Sequence, residues 1–281
     1  MNKFNFKDQM ILEMRVRNYS QRTIESYVTA LSKLTIFHHL AVEQLTVDQL
    51  KEYLNHRIIH DHISVSMVNQ TISAYKIYHV DVLKKDPLDI RIKRPRRERK
   101  LPAILSTKEI EQMITVTLNL KHRAIIALAY SAGLRKEELK YLKPENIDSA
   151  RMRVHIVRGK GNKSRYSILS EKVLLLLRMY FNAIKPREYL FESNQHKGKP
   201  LADSTLNLIV KIAAKKAGIK KRIYFHTLRH CFATHMLEKG VNLKAIQHLM
   251  GHQSMRTTSV YLSTANMNPE SLRSPLDEMN I

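Results

Sequence analysis

The sequence predicts a mainly α-helical protein of two domains, the second made α+β by one small β-sheet or hairpin. Three observations carry this. The chain has 281 residues, 43% of them apolar, which is long for one domain and apolar enough for two cores. Apolar residues recur at helical spacing along most of it. One stretch alone, 152–169, switches to a period of two.

Residues 5–85 read as helices with short polar joints. YVTALSKLTIF (27–37) and MVNQTISAYKIYHVDVL (67–83) carry apolar helix faces, and Thr46-Val47-Asp48-Gln49 has the form of a capping box. DPLDIRIKRPRRERKLP (86–102) follows. Its prolines at 87, 95 and 102 forbid a continuous helix. Seven of the ten residues from Arg91 to Lys100 are basic and one is Glu, so 91–102 is expected to be an extended, charged linker between domains at 1–90 and 103–281.

The second domain opens on another capping box, Ser106-Thr107-Lys108-Glu109. Helices are expected at 107–118 and 121–132, a break at Gly133, and a short helix in RKEELKYL (135–142) that stops before Pro144. MRVHIVRGKGNKSRYSIL then alternates apolar and polar residues on either side of Gly159 and Gly161, the pattern of a β-hairpin with a basic tip. Helices at about 171–184, 203–217, 226–238 and 242–249 complete the reading.

Charge narrows the partner. There are 48 Lys and Arg against 25 Asp and Glu, a net +23. Self-repulsion of that size is most easily tolerated by a protein that binds a polyanion, and double-stranded nucleic acid is the leading candidate. An anionic membrane would need a basic amphipathic anchor or a lipidation site, and neither is visible. No apolar run spans a bilayer, MNKFNFKDQM lacks the apolar core of a signal peptide, and a single cysteine excludes an internal disulfide framework. A soluble, cytoplasmic nucleic-acid binder is expected. The linker cations Arg91, Lys93, Arg94, Arg96, Arg97, Arg99 and Lys100 are candidate phosphate contacts.

HTLRHCFATH (226–235) holds three histidines and the only cysteine, and His226 and His230 share a helical face. A hydrolytic zinc site would need a Glu beside the first His and a third ligand; the residue that stands out between the pair is Arg229, not Glu, and a guanidinium repels a metal ion. No metal and no other cofactor is expected. His226 and Arg229, at i and i+3, are instead placed to act on one anion. Arg135, just after Gly133, is a second such cation; the alternative is a surface Arg paired with Glu138. Lys160, between two glycines at the hairpin tip, is a third, suited to donating a proton to a leaving oxygen. In HLMGHQSMRTTSVYL (248–262), His252 follows Gly251, and Tyr261 is a possible nucleophile that clustered cations would activate. His230, Cys231 and His235 are expected to serve packing or support.

The set Arg135, Lys160, His226, Arg229, His252 and Tyr261 resembles the active site of the tyrosine recombinase (phage integrase) family, in its compact Xer-like or integron-integrase-like form. The resemblance rests on AGLRKEEL, GKGNKSR, HTLRHCFATHML, LMGHQS and TTSVY, in family order and separation. RTIESYVTALSKLTIF (22–37) is similar to the first helices of the family's core-binding domain. The resemblance implies an N-terminal helical core-binding (SAM-like) domain and an α+β catalytic domain that clamp duplex DNA, with the basic linker crossing it. Tyr261 would attack the scissile phosphate to give a 3′-phosphotyrosine and a free 5′-hydroxyl. Arg135 and Arg229 would hold its non-bridging oxygens, Lys160 would protonate the 5′-oxygen, His226 would handle the tyrosine proton, and His252 would support the phosphate. Partners would be duplex DNA with inverted-repeat core sites and further copies of the chain, or a related recombinase, in a tetramer that exchanges strands through a Holliday junction. The tail after Leu262 is long enough to dock on a neighbour. Two departures stand out: Cys231 where Ser or Thr is usual, and Leu262-Ser263 after the nucleophile. A type IB topoisomerase-like nicking and resealing enzyme and a non-catalytic DNA-binding protein are the rival readings.

Overall fold

The computed structural model describes residues 5–95, 102–157 and 164–265. The chain divides into two compact units, Met1–Arg99 and Lys100–Ile281.

The first unit is a bundle of four helices, α1 (Phe6–Val16), α2 (Gln21–His38), α3 (Val47–Asp61) and α4 (Val65–Lys76). Each begins where a short polar side chain satisfies a free helical amide: Asn5, Ser20, Thr46 and Ser64 all accept from the first turn. The capping box expected at Thr46 forms in both directions, with Gln49 returning to the Thr46 amide at 2.9 Å. Met10, Met14, Ile24, Leu31, Leu34, Leu50, Ile72 and Tyr75 form the core. The 67–83 pattern is one helical run in sequence but two in space. α4 closes at Lys76 and a π-helical turn, Ile77–Val82, continues it. That turn brings the Tyr78 hydroxyl onto the Glu43 carboxylate.

Residues 91–95 of the basic linker take no helix or strand, in keeping with Pro95 at their end. Arg94 donates to the Ser73 hydroxyl at 3.0 Å and Ile92 packs on the core of the first unit. Arg96, Arg97, Arg99 and Lys100 lie outside the described residues.

The second unit is built round α6 (Leu120–Ser131), whose residues Ala124 to Ala129 are all buried. α5 (Thr107–Thr115), with the expected capping box at Ser106, precedes it, and the short α7 (Lys136–Lys140) follows. Next comes an antiparallel sheet in the order β1 (Ile147–Asp148), β2 (Arg153–Ile156), β3 (Arg165–Ile168). Val154 and Ile156 face the core while Arg153 and His155 are half-exposed, as the period-two pattern requires. β1 adds a two-residue strand to the expected hairpin, too short to leave a periodic signal. Then come α8 (Glu171–Ile184), α9 (Asp203–Lys216), α10 (Phe225–Glu238), α11 (Leu243–Met250) and α12 (Met255–Thr258), with a 3-10 turn at Ser259–Ser263. No described helix is long and apolar enough to cross a membrane.

Candidate active site

The site is assembled at three chain reversals. The first follows α6. Gly133 adopts φ +58°, and a Cβ there would lie 2.4 Å from the Phe232 ring of α10, so only glycine fits the turn. The Ser167 hydroxyl of β3 donates to the Ala132 carbonyl at 2.7 Å and fixes the sheet against the same corner. Two residues on, Arg135 stands immediately before α7.

Arg135 is held from two sides. Its Nη1 donates to Glu138 at 2.7 Å and its Nη2 to the Gly251 carbonyl at 2.8 Å. The Glu138 pairing is therefore real, but it is no surface pair: the Glu138 side chain is 2% exposed. Glu138 also accepts from the Arg135 amide at 2.7 Å and from Arg165 Nη2 at 2.6 Å, and it lies 3.7 Å from Arg229. Burial opposes ionisation of this carboxyl, yet Arg165, the Arg135 amide and Arg229 outweigh it and hold its pKa below the usual value.

The second reversal leads into α10. Arg229 is fully buried, with Nη1 donating to the Gly133 carbonyl and Nη2 to the Met250 carbonyl. Its Nε has no partner among the described residues. Burial first, then the charge of Arg135, pulls its pKa down to about 9, so it stays a cation at neutral pH. Arg229 thus ties the turn before Arg135 to the turn before His252.

The third reversal ends α11 at Gly251, φ +59°. His252 follows and its Nδ1 pairs with the Thr258 hydroxyl at 2.9 Å. Burial, and then Arg229 and Arg135, lower its pKa to about 3. Tyr261 packs with Phe232, Ile246 and Met250 and is 3% exposed. Its pKa is raised by burial, against the opposing pull of Arg229 and Arg135.

The phenol hydroxyl of Tyr261 meets His230 Nδ1 at 3.1 Å, and its ring stacks parallel to that of His252 with centroids 6.3 Å apart. Burial, then neighbouring His226 and Arg229, lowers the His230 pKa to about 4, leaving a neutral imidazole. His226 packs edge to face on His230, centroids 4.6 Å apart. Although much of its surface is open to solvent, crowding by the protein and the Arg229 and Arg135 charges lower its pKa too.

Arg135, Arg229, His226, His252 and Tyr261 therefore gather in one place. Lys160 lies outside the described residues. Cys231 and His235 are buried supports, as expected: Cys231 Sγ accepts the Leu105 amide at 3.2 Å, and His235 links Tyr130 to the Leu105 carbonyl. His230 is the departure, for it touches the tyrosine hydroxyl rather than serving only to pack. Glu138 and Arg165 were also missed as members of the site. Both sat in motifs already singled out, RKEEL and GKGNKSR, but an acidic residue i+3 from an Arg and an Arg in a hairpin look like surface groups until their burial is known.

The phage integrase family model matches residues 103–267, more than half of the chain, and the family's N-terminal SAM-like domain model matches 6–88. The chain belongs to the phage integrase family. It is a tyrosine-type site-specific DNA recombinase. A tyrosine recombinase of Thermosipho africanus is 32% identical over 263 residues, covering 89% of this chain and 92% of that one. Tyrosine recombinase XerD of Staphylococcus aureus is 32% identical over 266 residues, covering 87% and 88%. The recombinase also shares its fold with XerH site-specific recombinase bound to palindromic difH substrate in a post-cleavage complex, at TM-score 0.71 and 21% identity over 97% of this chain and 85% of that one.

Proposed function

We propose that the recombinase cleaves and rejoins DNA through a 3′-phosphotyrosine formed on Tyr261, within a tetrameric synapse of two duplexes. The observation that carries this reading is the convergence of Arg135 and Arg229 on Glu138, at 2.7 and 3.7 Å, in the same cluster as the Tyr261 hydroxyl. Two guanidiniums fixed by carbonyl acceptors are pre-organised for the non-bridging oxygens of a phosphodiester. One buried carboxylate cannot neutralise both Arg135 and Arg229 together with Arg165, so net positive charge is left for the phosphate.

The Tyr261 oxygen attacks phosphorus in line and the bond to the 5′-oxygen breaks. The phenol proton passes to neutral His230, its hydrogen-bond partner, in place of His226, to which the family resemblance gives this task; His226 is assigned a hydrogen bond to the phosphate, as is His252. Lys160 protonates the leaving 5′-oxygen. The ester keeps the energy of the broken bond, so a second 5′-hydroxyl reverses the step without ATP. Arg91, Lys93 and Arg94 are assigned to phosphate contacts along the duplex, with Arg96, Arg97, Arg99 and Lys100 continuing the same basic run. The 1–90 segment acts as the core-binding domain and 103–281 as the catalytic one.

The test uses a duplex selected by the protein from a random pool and then nicked near the cleavage point. Wild type is expected to form a covalent adduct that Tyr261→Phe abolishes. An absence of adduct from wild type on a bound, nicked duplex sinks the reading. Two labelled copies of the site should yield recombinant product; relaxed plasmid alone would indicate nicking and resealing without exchange.

A further inference from the structure

We propose that Arg165 is a positioning residue for strand cleavage, locking β3 to the Arg135 clamp and to the His252 turn while neutralising Glu138. The proposal rests on the phosphotyrosine chemistry given above.

Arg165 opens β3, and its guanidinium reaches two other elements at once. Nη2 and Nε donate to the two carboxylate oxygens of Glu138 at 2.6 and 3.3 Å, and Nη1 donates to the Leu249 carbonyl near the end of α11. One side chain thus joins the strand after the hairpin tip, the helix after Arg135 and the helix before His252. The turn it passes beneath is shaped to admit it. A Cβ on Gly251 would stand 2.5 Å from Arg165 Cδ, closer than such atoms approach, and 3.6 Å from Arg135 Nη1.

All three guanidinium nitrogens of Arg165 are taken up by Glu138 and the Leu249 carbonyl, so it serves the site through its partners and not by touching DNA. Its electrostatic effect is on Glu138. A buried carboxylate competes with phosphate for the guanidiniums beside it. Arg165 occupies both carboxylate oxygens in the forked geometry that a guanidinium fits best. This loosens the hold of Glu138 on Arg135 and Arg229. Without Arg165 the carboxylate would draw those two arginines toward itself, and the clamp would lose both charge and alignment.

The experiment measures single-turnover adduct formation on the selected, nicked duplex at saturating DNA. The variants are Arg165→Gln, Arg165→Lys, Glu138→Gln and the double variant Glu138→Gln/Arg165→Gln. Arg165→Gln is expected to slow cleavage about tenfold or more, with half-saturating DNA changed less than about twofold. Removing the unbalanced carboxylate should rescue it, so the double variant should cleave about threefold or more faster than Arg165→Gln. Arg165→Lys, which keeps the charge but not the fork, should fall between Arg165→Gln and wild type. Thermal melting verifies that each variant is folded at the assay temperature. If Arg165→Gln does not fold, the double variant and Arg165→Lys decide. Wild-type rates in every variant that removes Arg165, or a double variant slowed by the product of the two single losses, overturns the proposal. Failure of wild type itself to form an adduct overturns the phosphotyrosine reading, a separate result.

Discussion

His230 Nδ1 lies 3.1 Å from the hydroxyl of Tyr261, while His226 packs edge to face on the His230 ring. A neutral imidazole with its proton on Nε2 accepts from the phenol, and the lowered His230 pKa keeps it neutral. His230→Gln is expected to lower the cleavage rate about a hundredfold at pH 7, the usual range for loss of a general base. The deficit should shrink as pH rises and the phenol ionises unaided. A pH profile of adduct formation measures this. If His226→Gln shows that profile and His230→Gln does not, the proton goes to His226.

Arg229 makes a second separable prediction. Its two Nη atoms bridge the Gly133 and Met250 carbonyls, which lie on different reversals, and a lysine ammonium cannot span them. Arg229→Lys should leave one buried carbonyl unsatisfied and cost about 1–3 kcal/mol of stability in denaturant titration. Cleavage should fall far more than DNA affinity, since affinity is spread over many phosphate contacts. Equal losses of both would mean that Arg229 only positions DNA.

Much of this site was legible in the sequence. The helices appear within a few residues of their expected limits because polar caps and apolar periodicity are local signals: α8 spans Glu171–Ile184, and the capping boxes at Thr46 and Ser106 form. Arg135, His226, Arg229, His252 and Tyr261 were visible because their motifs follow one another in register. What escaped depends on burial and on contacts distant in sequence. Glu138 reads as half of a surface pair, His230 as packing or support, and Arg165 as one more cation of a basic hairpin. Their roles come from the Gly133 and Gly251 reversals, which bring β3, α7, α10 and the turn after α11 together. The π-helical turn at 77–82 was hidden for a different reason, since its apolar pattern continues that of α4.

Gly133 tests the first reversal. A Cβ would meet the Phe232 ring at 2.4 Å in a conformation that L residues seldom adopt. Gly133→Ala should therefore destabilise the protein by about 2–4 kcal/mol, combining the left-handed penalty with overpacking. Gly218 also has positive φ, but no atom lies within 4 Å of its Cβ position. Gly218→Ala should cost only the conformational part, about 1–2 kcal/mol. Paired denaturation curves check the contrast, and equal losses would show that Phe232 yields.

The histidines of 226–235 allow a sharp test of metal dependence. The donors are aimed elsewhere: His230 Nδ1 at Tyr261, Cys231 Sγ at the Leu105 amide, and His235 at Tyr130 and the Leu105 carbonyl. Arg229 adds a cation within the same helical turn. EDTA is expected to leave adduct formation unchanged. Inhibition by EDTA that zinc reverses would overturn the anion-clamp assignment.

Acid should destabilise the DNA-free recombinase well before its carboxylates titrate. His230 and His252 have native pKa values of about 4 and about 3, whereas an unfolded histidine titrates near 6.5. Between pH 6.5 and 4 the unfolded chain therefore binds more protons than the native one, and folding free energy falls as pH falls. Each such histidine contributes a slope approaching about 1.4 kcal/mol per pH unit within that window. The contribution vanishes above the unfolded pKa, where both states are neutral. Glu138 acts lower: its depressed pKa adds stability that is lost only as pH drops through the carboxylate range. Urea titrations at pH 7, 6 and 5 should show falling stability, and His252→Asn should flatten the slope. A wild-type slope that His252→Asn leaves unchanged would mean that His252 is protonated in the native protein, its charge accommodated beside Arg135 and Arg229.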